Sequence, residues 1–194
     1  MRDRDLVRLH WPESRRAAFD TALALDDRLA EVALGAAQPA LGAIKLAWWR
    51  DQLAALDTQP PPPEPLLSRI VSDLMVVGVS GADCAALADG WLQVLEEEPD
   101  AAPRGAALFA LLGSVLGSGG VPGGEAFSRA DLARRSGEPE WLRKLPAAPT
   151  PRPVRPVTLL DALGRRDAAR FWPPEPEATP GRSWTLIRHR LTGR

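Results

Sequence analysis

Apolar residues recur along this chain every three or four positions, the spacing of helices that bury one side. Over residues 13–34, Phe19, Leu23, Ala30 and Ala33 keep that period and predict a first long helix. Pro12 and Ser14 stand near its start, where proline costs little and serine can cap. A break at Gly35 to Pro39 separates it from a second helix over 40–57, in which Leu46, Trp49, Leu53 and Leu56 form the inward stripe. Ile44 and Trp48 fall on the adjacent face, which predicts a broad buried surface. Leu66 to Val77 (LLSRIVSDLMVV) predicts a third helix ended by Gly78 and Gly81. Its β-branched tail would also suit a strand, but the chain offers such a strand no partner. Ser80 followed by Asp83 is an N-cap signal, and the helix to Glu97 carries Leu87, Trp91 and Leu95 on one face until Pro99 and Pro103 stop it. Arg104 to Leu116 is the most hydrophobic helix and ends in the glycine-rich turn Gly117 to Gly124.

Beyond residue 128 the pattern thins. Ser128 and Asp131 predict the cap of a short helix to Arg135, and Pro139 to Leu145 predicts another. Val157 to Phe171 reads as a helix with Leu160, Leu163 and Phe171 inward. Ser183 to Leu191 reads as a last amphipathic helix with Trp184, Ile187 and Leu191 on one face. Proline-rich connectors fall near 60–65, 146–156 and 173–180, and no repeat of fixed period is visible. The expectation is an all-α, single-domain helical bundle spanning residues 1–194.

Composition narrows the function. At 194 residues and 45% hydrophobic content the chain suits one domain with a real core. The net charge of -1 is unlike a nucleic-acid polyelectrolyte, but its distribution is uneven. Residues 1–128 carry 10 basic and 18 acidic side chains, whereas residues 129–194 carry 14 basic and 7 acidic. That asymmetry suits either a basic surface or docking of one half on the other. Cys84 is the only cysteine, which excludes a disulfide framework and predicts a small apolar core residue. The opening MRDRDLVRLHWPESRR has no apolar core of a signal peptide, and no apolar run is long enough to span a bilayer. A cytoplasmic location, with contact at the membrane periphery left open, is expected. GSGGVPGGE follows a helix and lacks the GK[ST] ending of a phosphate loop. His10 and His189 stand alone, and no G-x-S-x-G elbow occurs.

The acidic candidates lie in the first helix. Asp26, Asp27 and Glu31 are close in sequence, and Asp27 and Glu31 are four apart, so their carboxylates share a face. Either Arg28 balances a solvated acidic face or a divalent cation relieves the repulsion. The string DDRLAE (Asp26 to Glu31) resembles the first aspartate-rich motif of squalene and phytoene synthases. IKLAWWRDQLAAL (Ile44 to Leu56) is similar to the segment that follows it in a short, divergent branch of that family, which includes a mitochondrial complex I assembly relative. RGAALFALLGSVLG (Arg104 to Gly117) resembles the family's Y-x-x-x-A-G-x-V-G helix, and WTLIRHRLTGR (Trp184 to Arg194) its ending.

The resemblance implies a truncated isoprenoid-synthase fold, with magnesium held between two aspartate-rich helices to bind prenyl diphosphates. Carried over, Asp26, Asp27 and Glu31 match the first cluster, with Ala30 where an aspartate is common. Only Asp89 of ADGWLQ remains of the second, with Gln93 in its partner's place. Arg28, Lys45 and Arg50 are the cations that would meet a diphosphate. Glu96, Glu97 and Glu98 stand three in a row and would be spread around their helix. The family's tyrosine is missing, as is every tyrosine, and connectors replace part of the C-terminal half. These departures point to a synthase-like protein that has lost catalysis and acts by binding a prenyl lipid or a protein partner in an assembly-type role. The alternatives are a working magnesium-dependent prenyl transferase and, from another class, a membrane-surface adaptor that uses the basic C-terminal third.

Overall fold

In the computed structural model, which describes residues 2–146, 149–170 and 172–194, helices follow one another and no strand occurs among the described residues. They are α1 (Asp3–Arg8), α2 (Arg16–Leu34), α3 (Pro39–Ala55), α4 (Pro65–Asp73), α5 (Gly81–Val94), α6 (Ala102–Val115), α7 (Glu125–Ser136), α8 (Arg155–Arg170) and α9 (Pro180–Thr192). The all-α expectation therefore holds. From α5 onward each helix packs on the next, while α2 touches α3, α4, α5 and α6 and so lies at the centre of the N-terminal half. No helix is long and apolar enough to cross a membrane among the described residues.

Local chemistry fixes most of the starts. Pro39 and Pro65 occupy first-turn positions, where the missing N–H would be unpaired anyway. Glu64 caps α4 by accepting from Leu67 N at 2.9 Å. Ser80 and Asp83 form a reciprocal capping box at α5, and Asp57 reaches across to accept from Gly81 N at 2.6 Å and Ala82 N at 3.0 Å. Gly78, at φ +93°, makes the left-handed step between α4 and α5 that a side chain would resist.

Several elements differ from the sequence expectation. α1 has four charged residues in six and is too short to be read from periodicity; it combines ion pairs with the buried Val7. In α3 the buried positions are Gly42, Leu46, Trp49 and Leu53, a single stripe, and Ile44 and Trp48 remain 67% and 47% exposed. The buried surface is thus narrower than expected. Glu96, Glu97 and Glu98 lie beyond the end of α5 rather than around a helix. α7 begins at Glu125 after Gly124 in the left-handed region (φ +94°), so Ser128 is buried inside the helix rather than capping it. Pro139 to Leu145 forms one 3-10 turn, Pro139–Trp141, because two prolines bound too short a segment. α8 starts inside the expected connector, and Leu160 and Leu163 are buried as expected. The expectation for Phe171 lies outside the described residues. In α9, Trp184, Ile187 and Leu191 share a side, but it faces solvent.

Trp49 is 3% exposed and Trp48 stands edge-on to it, with ring centroids 5.5 Å apart. Replacing a buried tryptophan by alanine costs about 3–5 kcal/mol, so thermal melts should show a large loss for Trp49→Ala. Trp48→Ala should cost less, about 0.5–1.5 kcal/mol, for loss of the edge-on pair. Cys84 is fully buried, and burial pushes its thiol up to about 12. A thiol reagent at neutral pH should modify it only after denaturant is added, as a mass shift would record.

Candidate functional site

Asp26 projects from the middle of α2 into the interior, where it meets Arg104, and Asp27 stands half-buried beside it. Arg104 opens the apolar helix α6 and has no solvent exposure. Its guanidinium lies over the Trp91 ring at 4.1 Å from the centroid, donates to Asp26 Oδ1 at 3.0 Å and Oδ2 at 2.5 Å, and reaches Asp131 Oδ2 at 2.6 Å. Trp91 Nε1 adds a third donor to Asp26, at 2.9 Å. The approach depends on Gly90: a Cβ there would lie 2.6 Å from Arg104 Cα, so only glycine lets α5 and α6 close this far.

The pairing continues to the surface. Asp131 accepts from Arg135 Nε at 2.7 Å, and Arg135 Nη2 reaches Asp27 Oδ1 at 2.6 Å. Arg4 of α1 closes the chain on Asp27, at 2.5 and 3.1 Å. Carboxylates and guanidinia alternate, Asp26–Arg104–Asp131–Arg135–Asp27–Arg4, and their charges cancel. Burial alone would raise the carboxyl groups of Asp27 and Asp131, but the adjacent guanidinia outweigh it and hold both below their ordinary value. A second network lies beside the first. Arg182 of α9 donates to Asp3 Oδ2 at 2.7 Å and also pairs with Asp167, which accepts from Arg134 at 3.1 Å. The two networks line one cavity of about 80 Å³, walled by Leu23, Phe127, Leu160 and Leu163.

The other sequence candidates lie elsewhere. Glu31 is exposed and pairs with Arg28 at 3.1 Å. Both line a surface depression of about 310 Å³ with Lys45, Trp48 and Trp49. Arg50 pairs with Asp51 at 2.8 Å and stands 3.9 Å from Asp89, whose side chain is 58% exposed. Asp26, Asp27, Glu31 and Asp89 are therefore not gathered at one centre: the first two line the interior cavity, and the last two do not. Among the described residues no group of three or more His, Cys, Asp and Glu side chains is placed to hold a metal ion. The donor set at Asp26 and Asp27 does not fit magnesium. Each carboxylate already accepts three N–H bonds, and a cation that takes six oxygen ligands would have to displace them.

Sequence reading passed over Arg4, Arg104, Arg135 and Asp167. One signal was there: an arginine at the head of the most hydrophobic helix must find carboxylates if that helix is buried. No family model, curated protein or solved structure matches the chain, so the synthase resemblance stands on its motifs alone.

Asp26→Asn leaves Arg104 with less than its full countercharge, and breaking a buried pair costs about 3–5 kcal/mol. Chemical denaturation should register that loss, whereas Asp89→Asn, on an exposed side chain, should change stability by no more than about 0.5 kcal/mol. The acid side has a definite sign. With folded pKa values of Asp27 and Asp131 below 3.8, the unfolded chain binds more protons than the folded one. Their contribution is complete above about pH 5 and is lost as pH falls through the carboxylate range. Melting temperature measured from pH 6 to pH 2 should decline in that lower window.

Proposed function

We propose that the protein acts by binding rather than by catalysis, as a helical scaffold for a protein partner in an assembly-type role. The observation that carries this reading is the saturation of Asp26 and Asp27 by guanidinium and indole donors. A prenyl transferase needs carboxylates free to place magnesium against a departing diphosphate. Here the same positions neutralise Arg104, Arg135 and Arg4. Cavity size favours a protein partner over a prenyl lipid in the interior, because about 80 Å³ is well below the roughly 300–1,000 Å³ of ligand pockets. The exposed row Leu41, Ile44 and Trp48 on α3 gives such a partner an apolar footing. A cytoplasmic or membrane-peripheral location belongs to this reading.

The test is incubation with farnesyl and geranylgeranyl diphosphate, magnesium and a reductant, followed by lipid extraction. No squalene- or phytoene-like product should form, and calorimetry should detect no magnesium binding by the protein alone. Product that disappears on Asp27→Asn would restore the transferase reading and overturn this one.

A further inference from the structure

The basic C-terminal third is shaped around a groove that the ionic networks do not use. Between α8 and α9 lies a cavity of about 500 Å³, lined by Arg165, Arg166, Arg170, Trp184, Arg188 and Arg194 among others. Three arginines of α8 have carboxylate partners: Arg165 pairs with Asp161, and Arg166 and Arg170 share Glu175, at 2.7 and 3.5 Å. Hydrogen bonds from Arg166 and Thr179 push Glu175 down to about 2, so it stays charged at neutral pH. Arg188 and Arg194 differ. Both are exposed, and neither has a carboxylate in ion-pair contact among the described residues. Arg190 and Arg155 also lack such a partner there, although Arg155 donates to the Arg190 and Leu191 carbonyls at 3.1 and 2.8 Å.

The same helix carries an apolar row beside these cations. Trp184, Ile187 and Leu191 follow spacings of three and four and are 63%, 44% and 70% exposed. They are not needed for docking α9, because Arg182, Leu186 and His189 form its buried side. His189 Nε2 meets Thr158 Oγ1 at 2.8 Å, and Arg155 fastens the last turn. α9 is thus held against α8 with an apolar row and uncompensated guanidinia turned outward.

We propose that the α8–α9 face is a docking surface for a membrane bearing anionic phospholipid. Arg188 and Arg194 take headgroup phosphates at the groove, and Trp184, Ile187 and Leu191 enter the interfacial layer. Charge complementarity selects an anionic occupant, since guanidinia bind phosphate oxygens by paired N–H donors. The apolar row selects a lipid surface over a soluble anion or a nucleic acid. A helix lying in the interface with tryptophan at headgroup depth uses both features together. Whether or not Asp26 and Asp27 support catalysis, this surface is separate from them and stands or falls by itself.

Flotation of the whole protein with vesicles tests it. Phosphatidylcholine alone is compared with equal parts phosphatidylcholine and phosphatidylserine, at low and high salt. Binding should occur to the anionic vesicles only and weaken with salt. Arg188→Gln and Arg194→Gln should each lower the partition coefficient about fivefold. Trp184→Ala with Leu191→Ala should lower it at least as much at both salt concentrations, with circular dichroism unchanged because these side chains are exposed. In a parallel arm inorganic phosphate and a single-stranded oligonucleotide are titrated by calorimetry. Equal binding to neutral vesicles, no loss in the arginine variants, or saturable phosphate or oligonucleotide binding without flotation would each overturn the proposal.

Discussion

A guanidinium without access to water needs compensating charge, and the arrangement of this bundle follows from meeting that need at Arg104. The desolvation penalty amounts to several kcal/mol per ion even after relaxation. It is offset only when Asp26 from α2, Asp131 from α7 and the indole of Trp91 from α5 arrive together around α6. Leucine and alanine contacts between helices tolerate sliding and repacking; a forked donor between two carboxylates does not. Net stability gained from such a pair can be small, since apolar replacements often do as well. The pairing ties four helices at one point, with α2, α5 and α7 each contributing a side chain around Arg104 of α6.

The same network gives the acidic motif its meaning. Two neighbouring aspartates in a helix are an electrostatic problem with two common solutions, a divalent cation or basic side chains. In sequence the two solutions look alike. Here Arg4 and Arg135 meet Asp27 from opposite directions along the chain, and the space left over is small. The outer faces of α3 and α9, where apolar side chains meet solvent, are where this molecule has surface to offer.

Most helices were legible because their apolar residues follow a local period. Trp49, Leu53, Trp91 and Leu160 stand where that period puts them, on the buried side. α1 was not legible, since six residues with only Leu6 and Val7 apolar make no period, and most of its charges pair with residues far along the chain. α7 was misplaced because Gly124, not Ser128, makes the turn that starts it. On α3, Trp48 and Ile44 show a limit of composition: apolar identity does not say whether a neighbour lies opposite. The ionic site was the least legible part, because Asp27 and Arg135 are 108 positions apart and nothing local to either names the other. Arg104, alone at the head of an apolar helix, was its one readable sign.

The pairing of Asp3 with Arg182 links positions separated by 179 residues. Synthesis proceeds from the amino end, so Asp3 leaves the ribosome well before its partner. The amide of Ala178, which also donates to Asp3 at 2.9 Å, arrives equally late. Until then the Asp3 carboxylate has to stay in water, and α1 has only part of its reason to settle against the bundle. Closing so long a loop is entropically costly and comes late in assembly. α1 can pair early with α2 through Arg4 and Arg8, but it locks onto the rest of the bundle only once α9 has been made.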